Sequence, residues 1–157
     1  MSFAISGDGL GWRAVNSPDE VSNGEIYSKI YPSLTFLQIK CEKSNAIKSE
    51  RDRRSIQGGY MVGEKWFHSD PKSRSQQHGL VLLGANIPEN LRWKTMDGSF
   101  VTMNLQLAEQ ILSAARASDQ AIFSAAELHK LAMETSADPA SYDFSTSWPK
   151  AYWEYSH

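Results

Sequence analysis

Four residues able to do acid-base, nucleophilic or anion-binding chemistry fall within ten positions: His68, Ser69, Asp70 and Arg74 in KWFHSDPKSR. A serine hydrolase needs its nucleophile on a sharp strand-to-helix elbow and a histidine brought to it by another element. Neighbours on a strand point to opposite faces, so His68 and Ser69 do not meet that requirement. Ser69 or Asp70, followed by Pro71 and a mixed polar and apolar run to Leu83, has instead the order of a helix N-cap with proline at the first helical position. A carboxylate or hydroxyl there accepts from the free amides of the first turn, and proline has no amide to leave unsatisfied. Asp70 is therefore assigned as a structural cap, with Arg74 as its i,i+4 ion-pair partner.

Metal chemistry fares no better. His68, Asp70 and His78 place two histidines ten positions apart with one carboxylate, without the compact pairs of zinc sites, and Cys41 is the only thiol available to complete them. Cys41 has no base near it in LQIKCEKSN, so it reads as structural or incidental. The glycines of GDGLG resemble a phosphate loop, but such a loop opens a helix and this one runs into Trp12 to Val15, which favours a hairpin turn. No catalytic residue, metal ligand or cofactor is assigned.

The elements that position these residues are legible from periodicity and turn chemistry. FAIS and WRAV read as short strands, and the turn signals Ser17-Pro18 and Asn23-Gly24 complete a small β-rich unit over residues 1–31. Residues 32–54 are expected to form a linker and a short helix: PSLTFLQIK extended, CEKSNAIKSERDRR helical, with the run Arg51 to Arg54 at a solvated helix end. A third segment, residues 55–157, holds a hairpin turning at Gly63-Glu64, the helix from about Asp70 to Leu83, and a second hairpin with a two-residue turn at Asp97-Gly98. Asn104 or Thr102 then caps a helix to about Thr135 with no glycine or proline. The expected fold class is α+β: two β-hairpins forming an antiparallel sheet, one short and one long covering helix, and the small β-rich N-terminal unit.

Two features suit contact with another surface. Positions 108, 111, 115, 118, 122, 125, 129 and 132 of the long helix form a seam of mostly small residues, equally suited to packing on its own sheet and to a subunit interface, so a homo-oligomer is compatible with it. His129 on that seam reads as a packed residue. The C-terminal SWPKAYWEYSH carries Trp148, Tyr152, Trp153 and Tyr155 after the last regular helix. Such a group either staples the terminus to the domain or anchors it in a partner. These four are the candidate partner-binding residues, and on that reading residues 148–157 are removable without unfolding the domain.

Composition limits the partners. Sixteen Lys and Arg against eighteen Asp and Glu in 157 residues leave no broad positive field for nucleic acid or anionic lipid. A single cysteine fits a reducing compartment. No run reaches the roughly 18 apolar residues of a membrane span, and the first residues lack a basic, apolar leader, so a soluble protein made in the cytoplasm is expected.

IKSERDRRSIQGGYMVGEKWFHSDPKSR, continuing through GLVLLGANIP to WKTMDGSFVTM and the long helix, resembles a domain of unknown function found in tail-fibre assembly and related tail proteins of tailed bacteriophages and prophages. FAISGDGLGWRAV with GEIYS is similar to the short piece that often precedes such domains. The resemblance implies a phage tail context in the host cytoplasm, without a catalytic centre and without site residues to carry over. A non-enzymatic accessory that binds the tail fibre or another tail protein and assists assembly or attachment is the first expectation. A permanent component of the virion tail fibre, baseplate or tail tip is the alternative.

Overall fold

Glycine-centred turns close three hairpins in the computed structural model, which describes residues 1–9, 11–32 and 36–155. The class is α+β, with seven short strands in three antiparallel sheets and three α-helices among the described residues. Two compact units are present: residues 1–46 with 130–143, and residues 47–129 with 144–157.

In the first unit β1 (Ser2–Ser6) is the central strand, flanked by β2 (Trp12–Val15) and β3 (Glu25–Ser28). GDGLG closes the β1-β2 hairpin: the Ser6 amide donates to the Gly11 carbonyl (2.9 Å), and the Ser6 hydroxyl accepts from the Gly11 amide (2.8 Å). Phe3, Ala4 and Val15 are buried. The Phe3 ring meets Trp12 and Tyr31 edge-on, each with centroids 5.2 Å away. Arg13 of β2 pairs with Glu25 of β3 at 2.8 Å, and the Tyr27 hydroxyl donates to Ser2 Oγ at 2.8 Å.

Helix α1 runs over Phe36–Gln57. It corrects the expectation of an extended segment and a short helix: residues 36–40 are helical, while 33–35 lie outside the described residues. The apolar and β-branched residues of LTFLQIK argued for a strand, yet from Phe36 onward no glycine or proline interrupts the chain for 22 residues, so the helix propagates through them. It ends at Gly58-Gly59, where the Gly58 amide donates to the Arg54 carbonyl at 2.8 Å and Gly59 takes φ +69°.

In the second unit β4 (Tyr60–Val62) and β5 (Lys65–Phe67) form a hairpin with register Tyr60↔Phe67. Gly63 at φ +60° gives the mirror-image turn anticipated there. Helix α2 (Pro71–Leu83) follows, then β6 (Arg92–Lys94) and β7 (Phe100–Thr102) with Trp93↔Val101. This second turn differs from the two-residue expectation. The Thr95 amide donates to the Ser99 carbonyl (2.9 Å) and the Gly98 amide to the Thr95 carbonyl (3.0 Å), which leaves a three-residue loop with only Gly98 at positive φ. The Asp97 carboxylate explains the extra residue, because it folds back to accept from the Ser99 amide (2.9 Å) and from Thr95 Oγ1 (2.6 Å). The two hairpins stay separate two-stranded sheets instead of one; the Met96 amide donates to the Trp66 carbonyl at 2.9 Å between them.

Helix α3 (Leu105–Thr135) is capped by Asn104, whose Oδ1 accepts from the Leu107 amide at 2.8 Å. Thr102 lies in β7. Ala108, Ile111 and Ala115 of α3 form the core of this unit with Tyr60, Phe67, Leu80 and Met103. The seam is an internal packing face. Its buried line continues through Ile122, Ala126, His129 and Met133, so positions 125 and 132 drop out in favour of 126 and 133. Alternating steps of three and four average 3.5 residues, whereas a straight helix turns every 3.6, and over seven steps the line moves by one residue.

Candidate functional site

Three of the four residues of the His68 to Arg74 cluster hold structure, while His68 lines an open cleft. Asp70 caps α2: its Oδ1 accepts from the Ser73 amide (3.0 Å) and its Oδ2 from the Ser73 hydroxyl (2.6 Å). Those bonds hold the Asp70 carboxyl below its ordinary range. Ser69 is buried, and its hydroxyl accepts from the Gly59 amide at 3.0 Å, fixing the chain just beyond α1. Arg74 does not pair with Asp70. Its guanidinium reaches across to α3, bidentate to Asp119 at 2.6 and 2.8 Å, and donates to the Ser69 and Ser55 carbonyls at 2.7 and 3.0 Å. A bidentate carboxylate and two carbonyls outcompete a single carboxylate already engaged by Ser73. His78 turns its Nδ1 to the Arg74 carbonyl at 2.7 Å, and no group of three metal-ligating side chains occurs among the described residues.

Behind this cluster lies a buried polar pair that the sequence did not disclose. The Tyr60 hydroxyl donates to Gln77 Oε1, and Gln77 Nε2 donates to the His68 carbonyl at 3.0 Å. Burial pushes the Tyr60 phenol up to about 12.

The C-terminal aromatics fold back onto the second unit. Trp148 Nε1 donates to the Phe144 carbonyl (2.7 Å), and its ring lies 4.9 Å from His129, whose Nε2 donates to the Thr146 carbonyl at 2.9 Å. Trp153 stacks on Arg53 at 4.1 Å, and Tyr152 and Tyr155 flank Trp66 at 6.1 and 5.6 Å. Arg54, expected at a solvated helix end, is 5% exposed. It is covered because the returning segment supplies its partners: Glu154 at 2.8 Å and the Pro149 carbonyl at 2.9 Å, alongside Glu50 at 2.6 Å within α1. Of the four candidate partner-binding residues, Trp148, Tyr152 and Trp153 are half-buried and Tyr155 is 52% exposed.

Tyr155 also borders an open, mainly apolar cleft of about 330 Å³. One wall is aromatic, Trp66 with Tyr155, continued by Met61 and Pro149; the other is Ala114, Ala117 and Ser118 of α3, with Lys150 at the margin. Lys150 Nζ lies 5.3 Å from the Tyr155 ring. Small side chains leave the helix backbone approachable, so the cleft has the shape to receive one apolar side chain of another polypeptide. Only Tyr155 of these residues was singled out from sequence as a binding group. Ala114, Ala117 and Ser118 are unremarkable in a helix, although Ser118 belongs to the seam that suits either internal packing or a subunit interface, and their value comes from the aromatic wall set opposite them.

Among the described residues no helix is long and apolar enough to cross a membrane. No curated protein and no solved structure matches the chain. A family model described as a domain of unknown function, DUF4376, matches residues 38–146, more than half the chain, and the chain belongs to that family.

Proposed function

We propose that the protein is a non-enzymatic accessory of a bacteriophage tail, which binds the tail fibre through the cleft between Trp66, Tyr155 and α3 and assists the fibre's assembly or attachment. The phage context rests on the sequence resemblance. The binding role rests on one observation, an aromatic wall facing a small-residue helix face across an open apolar space. Interface anchors favour aromatic groups because they exclude much water for little lost rotamer freedom. The protein acts in the host cytoplasm during assembly.

Co-expression with a tail-fibre protein from the same genome tests this reading. Ala117→Trp fills the cleft from an exposed helix position and is expected to weaken co-purification by about tenfold or more, with the melting temperature within about 2 °C of wild type. Undiminished co-purification of a folded Ala117→Trp protein overturns the cleft as the fibre site. A second reading, a permanent component of the fibre, baseplate or tail tip, draws on the N-terminal sheet, in which β2 and β3 are both edge strands able to add a partner strand. Mass spectrometry of purified virions separates the two: many copies per particle favour the permanent component, and absence favours the assembly factor.

A further inference from the structure

We propose that a second cleft, between α2 and β6, is a binding site for a small phosphomonoester. It measures about 290 Å³ and is lined by His68, Ser73 and Gln76 on one side and by Arg92, Trp93 and Lys94 on the other. Residues two apart on a strand share a face, so β6 sends Arg92 and Lys94 in the same direction, while Trp93 between them packs partly against the core.

Two of the cleft's side chains are cations without a carboxylate partner, unlike several others of the same unit. Arg53, Arg54, Lys65 and Arg74 each meet a carboxylate at 2.6 to 2.8 Å. Among the described residues Arg92 and Lys94 meet none; Arg92 only lies over the Phe100 ring, 5.4 Å from its centroid. No lining residue is acidic. Asp70 is held on Ser73 by both carboxylate oxygens and does not line the cleft. Two uncompensated cations beside one open cleft attract a dianion more strongly than either does alone.

The donor inventory narrows the ligand. The guanidinium of Arg92, the ammonium of Lys94, the amide of Gln76 and the imidazole of His68 all belong to lining residues, a set that suits the three oxygens of a tetrahedral phosphoryl group better than the two in-plane oxygens of a carboxylate. Ser73 offers lone pairs only, since its hydroxyl proton is given to Asp70. The volume admits a phosphate with a small substituent. None of these residues borders the apolar cleft proposed for the fibre, so the two sites stand or fall separately.

Titration of the isotopically labelled full chain with phenyl phosphate, at ionic strength held constant with sodium chloride, is followed by amide NMR. Saturable shifts centred on residues 68, 73, 76 and 92–94 are expected with a Kd of about 1 mM or tighter. Arg92→Ala with Lys94→Ala is expected to weaken binding by about tenfold or more, and Lys72→Ala, exposed on α2 outside the cleft, by less than about twofold. Wild-type protein with no saturable shifts at those residues overturns the proposal, as does a folded double variant that binds as well as wild type. Succinate binding as tightly as phenyl phosphate overturns the phosphate assignment.

Discussion

At the residue scale the side chains most suggestive of chemistry are spent on holding backbone. Ser69, Asp70 and Arg74 each satisfy amides or carbonyls at the junction of α1, β5 and α2. Asp70→Ala is expected to cost about 0.5 to 2 kcal/mol through the lost cap, and Asp70→Asn much less, because the amide oxygen still accepts from the first turn. Chemical denaturation of the two variants checks this, and equal losses would point away from capping. Arg54 is the costlier site. Arg54→Met removes bonds to Glu50, Glu154 and the Pro149 carbonyl, and about 3 kcal/mol of stability is expected to go with them. Denaturant midpoints measure it, and a loss under about 1 kcal/mol would mean that water replaces those partners freely.

At the element scale the C-terminal segment changes meaning once its contacts are seen. On sequence it is a removable aromatic tail. In the structure Ala151 is buried, the Tyr152 amide donates to the Gly58 carbonyl at 2.8 Å, and Trp66 and Arg54 depend on the segment for cover. Deleting residues 148–157 is therefore expected to destabilise the second unit by about 3 kcal/mol or more, seen as a lower, broader melting transition. Tyr155→Ala, at an exposed position, is expected to cost less than about 1 kcal/mol. That contrast within one segment divides stapling from binding.

At the scale of the whole molecule the acid limb of stability follows from paired carboxylates. Glu50, beside Arg53 and then Arg54, and Glu154, beside Arg54, both sit below the ordinary carboxyl value of 4.5. Below that value the unfolded chain takes up protons before the folded one does. Their stabilising contribution is complete above pH 4.5 and is lost as the pH falls through the lower folded values. Asp97, held well below its usual range by Lys65 and then by Thr95 and Ser99, adds to the same trend. Melting temperatures are expected to be flat from neutral pH to about 5 and to fall below about 4. In Arg54→Met the fall below about 4 should be shallower, and an unchanged slope would remove these pairs from the account.

What the sequence by itself determined is local. Three hairpins, the Asp70-Pro71 start of α2, the start of α3 at Thr102 or Asn104 and the α+β class follow from turn, capping and periodicity rules that act over a few residues. Tertiary structure decided where long-range partners compete. Arg74 chose Asp119, 45 positions away, over a cap residue four positions away, and Arg54 became buried because Glu154 returns to it from 100 positions away. Periodicity carries no record of such encounters, since each partner is an ordinary surface residue in its own window. Both clefts belong to the same class: Trp66 facing Ala117, and Lys94 facing Gln76, are juxtapositions made by packing elements that no single stretch of the chain contains.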